Sequence, residues 1–179
     1  MRIYTRKGDD GTTGLLFGGR VRKDSPRPAA YGEVDEAQAA LGLARAECER
    51  GSELDELLIR LERDLWVVMG ELATAPDNRH KLEPDTSLVT AEMVTALEPV
   101  IDDLTERFEP PTEFVVPGQN RTAALLDVAR TVVRRAERRC IEVVPEGSHV
   151  VAYLNRLSDL LWIMARAQEE RSLPTRERA

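Results

Sequence analysis

At 179 residues, with 25 Lys and Arg against 32 Asp and Glu, the chain has a formal charge of −7 and a pI near 5.0; that excludes nucleic acid as a main partner, since backbone binding needs a broad basic surface. No stretch approaches 18 apolar residues, and MRIYTRKGDD has no apolar core for a signal peptide, so no membrane span or leader is expected. Two distant cysteines, Cys48 and Cys140, read as reduced thiols in a cytoplasmic protein, and two histidines, His80 and His149, leave little for a zinc site.

One domain is expected over 1–171, followed by a disordered tail over 172–179. Residues 1–31 read as irregular, with a short extended piece over 2–5. KGDDGTTGLLFGG places Gly8, Gly11, Gly14, Gly18 and Gly19 in one short loop, with hydroxyls from Thr5, Thr12 and Thr13 and charge from Lys7 and Lys23. It is neither a P-loop nor a dinucleotide fingerprint. Two readings stay open: backbone N–H groups offered to phosphates, or a flexible arm.

Residues 32–50 predict a helix with Asp35 and Glu36 in its first turn and a small-residue face of Val34, Ala37, Ala40, Leu41 and Ala44. Gly51-Ser52 then ends one helix and caps the next. Over 53–74 a leucine stripe, widened by Trp66 and Met69, predicts a helix facing the core or a subunit interface. Residues 75–89 read as a loop with a solvated His80. A helix over 90–108 is expected to kink at Pro99. Residues 109–120 form a loop in which Phe114, taken alone, reads as a core plug.

Over 121–144 the spacing of Leu125, Val128, Val132, Ala136, Cys140 and Val143 predicts an amphipathic helix. Arg130, Arg134, Glu137 and Arg138 fall on its opposite face, near Asp127, and Arg139 lies close to the apolar arc. Between positions 121 and 140, six arginines stand against two acids, Asp127 and Glu137. A helical charge run is usually a solvated face. Here arginines outnumber their local partners, and their forked guanidinium groups suit phosphate oxygens. Pro145 ends the helix. Glu146 and His149 make a single E-x-x-H interrupted by Gly147, short of what a di-iron bundle needs. The last helix is expected over 148–171, with Val150, Leu154, Leu157, Leu161 and Met164 inward and Asn155, Asp159 and Trp162 on another face. The sum is an all-α five-helix bundle with no sheet.

Four stretches, YTRKGDDGTTGL (4–15), YGEVDEAQAALG (31–42), FVVPG (114–118) with VARTVVRRAERR (128–139), and YLNRLSDLLWIMAR (153–166), together resemble the PduO-type ATP:cob(I)alamin adenosyltransferases. The likeness runs from about residue 2 to 170. It implies a five-helix bundle, ferritin-like in arrangement, that forms a homotrimer with active sites between subunits. It implies ATP contacts at Thr5, Arg6, Lys7, Gly8, Thr13, Gly14 and Lys23 from the loop, and at Arg134, Arg135, Glu137, Arg138 and Asn155 from the helices. It also implies an Asp35–Arg130 ion pair, and Phe114 beneath the corrin ring, which reverses the core reading of that residue.

The implied reaction joins the 5′-deoxyadenosyl group of ATP to the cobalt of cob(I)alamin, with Mg²⁺ and arginines steadying the triphosphate leaving group. An electron-donating reductase and an adenosylcobalamin-dependent mutase are the implied partners. Two positions depart from the family pattern: Gln119 stands where a second glycine is common, and Asp127 where a histidine is common. A carrier or regulator that binds nucleotide or corrinoid on the same bundle is the alternative; it would show one-round release in place of turnover.

Overall fold

A computed structural model of the chain describes residues 3–176. Six α-helices and two small antiparallel ribbons are present among them. The order is β1 (Thr12–Gly14), β2 (Arg20–Arg22), α1 (Pro26–Arg45), α2 (Glu53–Leu72), a 3₁₀ turn (Pro76–Lys81), α3 (Ala91–Thr95), α4 (Glu98–Glu106), β3 (Val115–Val116), α5 (Arg121–Cys140), α6 (Val150–Ala167) and β4 (Leu173–Pro174). The all-α bundle expected from the sequence is the observed architecture. α1 packs on α2 and α5, α6 packs on α5 and α4, and α3 touches both α4 and α6.

The fully buried residues of α1 and α5 are mostly small: Ala30, Ala37 and Ala44 on one, Ala129 and Ala136 on the other. Small side chains let two helix axes approach closely, so these two helices form the centre of the bundle. Leucines from α2 and α6, among them Leu58, Leu65, Leu154 and Leu161, fill the space around that pair with no solvent exposure. Truncating one of these to alanine costs about 2–5 kcal/mol. α2 starts where Ser52 Oγ accepts from Asp55 N at 3.2 Å. α5 starts where Asn120 Oδ1 accepts from Ala123 N at 2.8 Å. Both are side-chain caps on donors with no intrahelical partner.

Several expectations change. α1 begins six residues earlier than read, with Pro26 in its first turn. First-turn N–H groups have no partner to lose, so proline fits there. Asp35 and Glu36 are therefore mid-helix and exposed. The kink expected at Pro99 is a full break: α3 ends at Thr95 and α4 restarts at Glu98, with Pro99 in its opening turn. On α5 the core stripe is Leu126, Ala129, Val133, Ala136 and Cys140, while Val128 is exposed. Trp66 is also exposed and is no part of the core of this chain. α6 ends at Ala167, and the tail is ordered as far as described, because β4 pairs with β3 in the register Val115 to Pro174 and Val116 to Leu173. Arg2 and the tail residues 177–179 lie outside the described residues, and Ile3–Thr5 form no strand. No described helix is long and apolar enough to cross a membrane. Cys48 and Cys140 are free thiols.

Candidate functional site

The six arginines of α5 divide into two sets. Arg121 Nε lies 3.0 Å from a Glu47 oxygen. Arg130 Nε lies 3.2 Å from Asp127 Oδ1. Arg135 is gripped by two glutamates of α1, with Nε 2.5 Å from Glu33 Oε2 and Nη2 on Glu36. Those carboxylates, Glu36 foremost, raise its already high pKa further. Arg134, Arg138 and Arg139 have no carboxylate partner among the described residues, and all three are exposed. Arg138 Nη1 folds back onto the Arg134 carbonyl at 2.9 Å.

Part of this has a plain explanation. Arg138 and Arg139 stand in the last turn of α5, where cations favour the helix dipole. Arg134 stands one turn earlier, and its i,i+4 proximity to Arg138 costs a few tenths of a kcal/mol, on the order of 0.2–0.5. An uncompensated pair of like charges on one helix turn is the arrangement an anion relieves. Beside it Asn155 Nδ2 donates to Glu137 Oε1 at 3.1 Å, which brings two more of the expected residues together across α5 and α6. The amide oxygen of Asn155 is left to accept from a ligand.

The N-terminal loop is built, not loose. Arg20 Nη2 donates to the Lys7 carbonyl at 2.5 Å, and its Nε donates to Thr12 Oγ1 at 3.0 Å. Thr12 in turn donates from N and Oγ1 to Asp10 Oδ1 at 2.9 and 2.7 Å. These bonds hold the Asp10 carboxyl below its ordinary range, the Thr12 hydroxyl foremost. Thr13 and Gly14 sit in β1, paired with Val21 and Arg20 of β2. Lys23 N donates to the Gly11 carbonyl at 2.9 Å. A Cβ on Gly8 would stand 3.1 Å from Lys23 Nζ, so the ammonium lies close over the glycine backbone. Arg6 adopts φ 61°, a left-handed conformation that costs a non-glycine residue about 1 kcal/mol. Thr5 Oγ1 accepts from Lys7 N at 3.4 Å.

The loop is docked to the end of α2. Leu16 N donates to the Ala73 carbonyl at 2.9 Å, and Asn78 Nδ2 reaches the Phe17 carbonyl at 3.3 Å. Among the described residues no hydrogen bond or ion pair joins it to Arg134, Arg138 or Asn155. Within one chain the two halves of the expected ATP site therefore make no direct polar contact with each other. The Asp35–Arg130 pair is likewise absent within the chain: Asp35 is exposed on α1, and Asp127 takes the Arg130 guanidinium.

Phe114 is 88% exposed, which overturns the reading of it as a core plug. Its backbone is nonetheless fixed, because Thr175 N donates to its carbonyl at 2.8 Å. Among the described residues no three His, Cys, Asp or Glu side chains gather to hold a metal ion.

Three organising arginines went unread in the sequence. Arg20 shapes the loop. Arg27 donates to the carbonyls of Leu72, Thr74 and Val143 at 2.7, 2.9 and 3.3 Å, capping the chain ends around that loop. Arg166 is 2% exposed inside α6. Only the last carried a signal, a lone charge within the apolar run LLWIMARA.

Comparison with known proteins places these features in context. The family model described as cobalamin adenosyltransferase matches residues 3–168. The corrinoid adenosyltransferase PduO of Citrobacter freundii is 41% identical over 172 residues, covering 94% of this chain and 50% of that protein; the chain thus spans about half the length of that relative. A corrinoid adenosyltransferase of Mycobacterium bovis is 41% identical over 170 residues, covering 92% of this chain and 87% of its own length. A solved structure of a phenylalanine-to-alanine variant of the PduO-type ATP:corrinoid adenosyltransferase from Lactobacillus reuteri, complexed with cobalamin and ATP, superposes with a TM-score of 0.87 at 31% identity, covering 98% of this chain and all of that one.

Proposed function

Since this chain belongs to the cobalamin adenosyltransferase family, we propose that it transfers the 5′-deoxyadenosyl group of ATP to the cobalt of cob(I)alamin, giving adenosylcobalamin and triphosphate. Cob(I)alamin is itself the nucleophile, so no side-chain base is required. A cobalt–carbon bond forms at C5′, the C5′–oxygen bond breaks, and its electron pair leaves with the triphosphate. The protein's task is to bind, align and neutralise.

The observation that carries this reading is the unpaired Arg134 and Arg138 beside the Glu137–Asn155 bond. These guanidinium groups are proposed to grip the triphosphate, while Thr5, Arg6, Lys7, Gly8, Thr13, Gly14 and Lys23 bring backbone donors and charge from the loop. Because no polar contact joins the two halves within one chain, we place the site between subunits of a homotrimer, with the Asp35–Arg130 pair also formed between chains. Arg135 is assigned to the nucleotide through its place on the same helix. Its two glutamates make it first a clamp between α1 and α5. The donor set on this face does not fit a bare Mg²⁺, which is proposed to arrive on the triphosphate. Exposed Phe114 is proposed to lie under the corrin ring, where an apolar face keeps a lower axial ligand away and eases reduction to Co(I). A reductase supplying that electron and a mutase taking the product, both cytoplasmic, complete the proposal.

The test is anaerobic mixing of the protein with ATP, Mg²⁺ and reduced cobalamin. A light-sensitive product with a cobalt–carbon bond and one triphosphate per turnover is expected; no spectral change refutes the activity. Mixing a Lys23→Ala chain with an Arg134→Ala chain is expected to regain activity that neither has alone. Failure of that mixture to recover overturns the shared site.

A further inference from the structure

The chain after α6 has little hydrophobic reason to be ordered. Leu173 is 51% exposed, and β4 is two residues long. What holds it is a chain of polar contacts that begins in the core. Arg166, with only 1% of its side chain exposed, donates through Nη2 to Asp127 Oδ2 at 2.6 Å and to Glu169 Oε1 at 2.9 Å. Asp127 accepts from Arg130 through its other oxygen. Glu169, with no side-chain exposure, accepts from Ser172 Oγ at 2.8 Å. Asn120, the cap of α5, donates to the Gln168 carbonyl at 2.6 Å. The segment then runs along β3, and Thr175 N closes on the Phe114 carbonyl at 2.8 Å.

A buried cluster of one arginine and two carboxylates, joined at its edge by half-buried Arg130, gives little net stability, because desolvating the charges offsets their attraction. What such a cluster does give is a fixed geometry. Arg166 can satisfy both carboxylates only if the turn after α6 holds Glu169 over Asp127. That placement aims Ser172 and the residues after it at the loop carrying Phe114. An aromatic ring that is 88% exposed has no packing to set its position, so its backbone must be set instead.

We propose that Glu169–Thr175 is a positioning strap for Phe114, anchored by the buried Arg166–Asp127–Glu169 cluster through Ser172. This rests on the assignment of Phe114 to the corrin face. Through Asp127 and Arg130 the same cluster ties that face to α5. The strap touches no reacting atom. It sets where the phenylalanine stands.

Two variants test it: deletion of residues 172–179, and Thr175→Pro, which removes the N–H that reaches Phe114 while leaving the rest of the segment in place. In the ligand-free protein, amide hydrogen exchange over 113–117 is expected to quicken about tenfold or more in both, with α1, α5 and α6 unchanged. Ser172→Ala is expected to share the effect, and Ser172→Thr, which keeps the hydroxyl, to restore protection. With ATP and cob(II)alamin, both strap variants are expected to lose the four-coordinate Co(II) resonance while binding ATP as the parent does. Unchanged exchange over 113–117 in the deletion overturns the strap, as does a retained Co(II) signal in Thr175→Pro. If the parent protein itself gives no four-coordinate signal, the corrin assignment falls, and the exchange result alone decides whether the segment straps the loop.

Discussion

Asn155 on α6 donates through Nδ2 to Glu137 Oε1 on α5 at 3.1 Å. The bond fixes the amide plane next to the unpaired Arg134 and Arg138, so a carboxylate that would repel a triphosphate instead orients a donor–acceptor pair. Replacing Asn155 by Asp puts two carboxylates face to face on that surface. The Asn155→Asp variant should weaken ATP binding by about 1–3 kcal/mol, read by titration calorimetry. Its melting temperature should hardly move, since Asn155 is exposed. Unaltered ATP affinity would take Asn155 out of the site.

Adjacent arginines should behave oppositely. Arg134 has no carboxylate partner, so Arg134→Ala should leave folding intact and weaken ATP binding by about 1.5–3 kcal/mol, roughly ten- to a hundredfold in Kd. Arg135 joins Glu33 and Glu36, so Arg135→Ala should lower the melting temperature by leaving those carboxylates without their cation. Thermal melts with and without ATP separate the two. Equal ligand-free melts with equal ATP losses would contradict the division of roles.

Phe114→Ala should cost little stability, because 88% of the residue is already in solvent. ATP binding should persist. The four-coordinate Co(II) resonance should vanish, and with it turnover from Co(II). A variant that keeps that resonance would end the axial role of Phe114.

Stability should fall on the alkaline side. Burial pushes the Tyr153 phenol well up, with Asp64 beside it adding to the shift, and burial pushes the Cys140 thiol up to about 12. Both protons stay on in the folded chain and leave in the unfolded one. Their contribution is therefore whole below the unfolded values, roughly 8.5 for cysteine and 10 for tyrosine, and is lost as pH rises through the folded ones. Urea midpoints measured from neutral pH upward should drop along this limb, and less steeply in Tyr153→Phe. That variant should also lose about 1–3 kcal/mol near neutrality by unpairing half-buried Asp64. A limb equally steep in Tyr153→Phe would exonerate the phenol.

Periodicity alone was enough for the long helices. The leucines of α2 and α6 and the alanines of α1 recur at helical spacing, and burying such stripes against one another leaves few architectures. The surplus of arginine on α5 was equally plain in the sequence. Which arginines are spare was not, because Glu33, Glu36 and Glu47 lie 74 to 102 positions away and only the packing of α1 on α5 brings them within reach. Pro26 hid the start of α1, since proline both breaks helices and opens them.

The tail misled for a different reason. Ser172 to Thr175 are short on apolar residues, and local composition cannot foresee an ordered strand whose anchor is a charge cluster drawn from Asp127, Arg166 and Glu169. Sequence determined which surfaces of each helix are apolar, because that depends on neighbours three and four residues away. Tertiary structure decided which charges are answered and which stand open, because an electrostatic partner is set by distance in space.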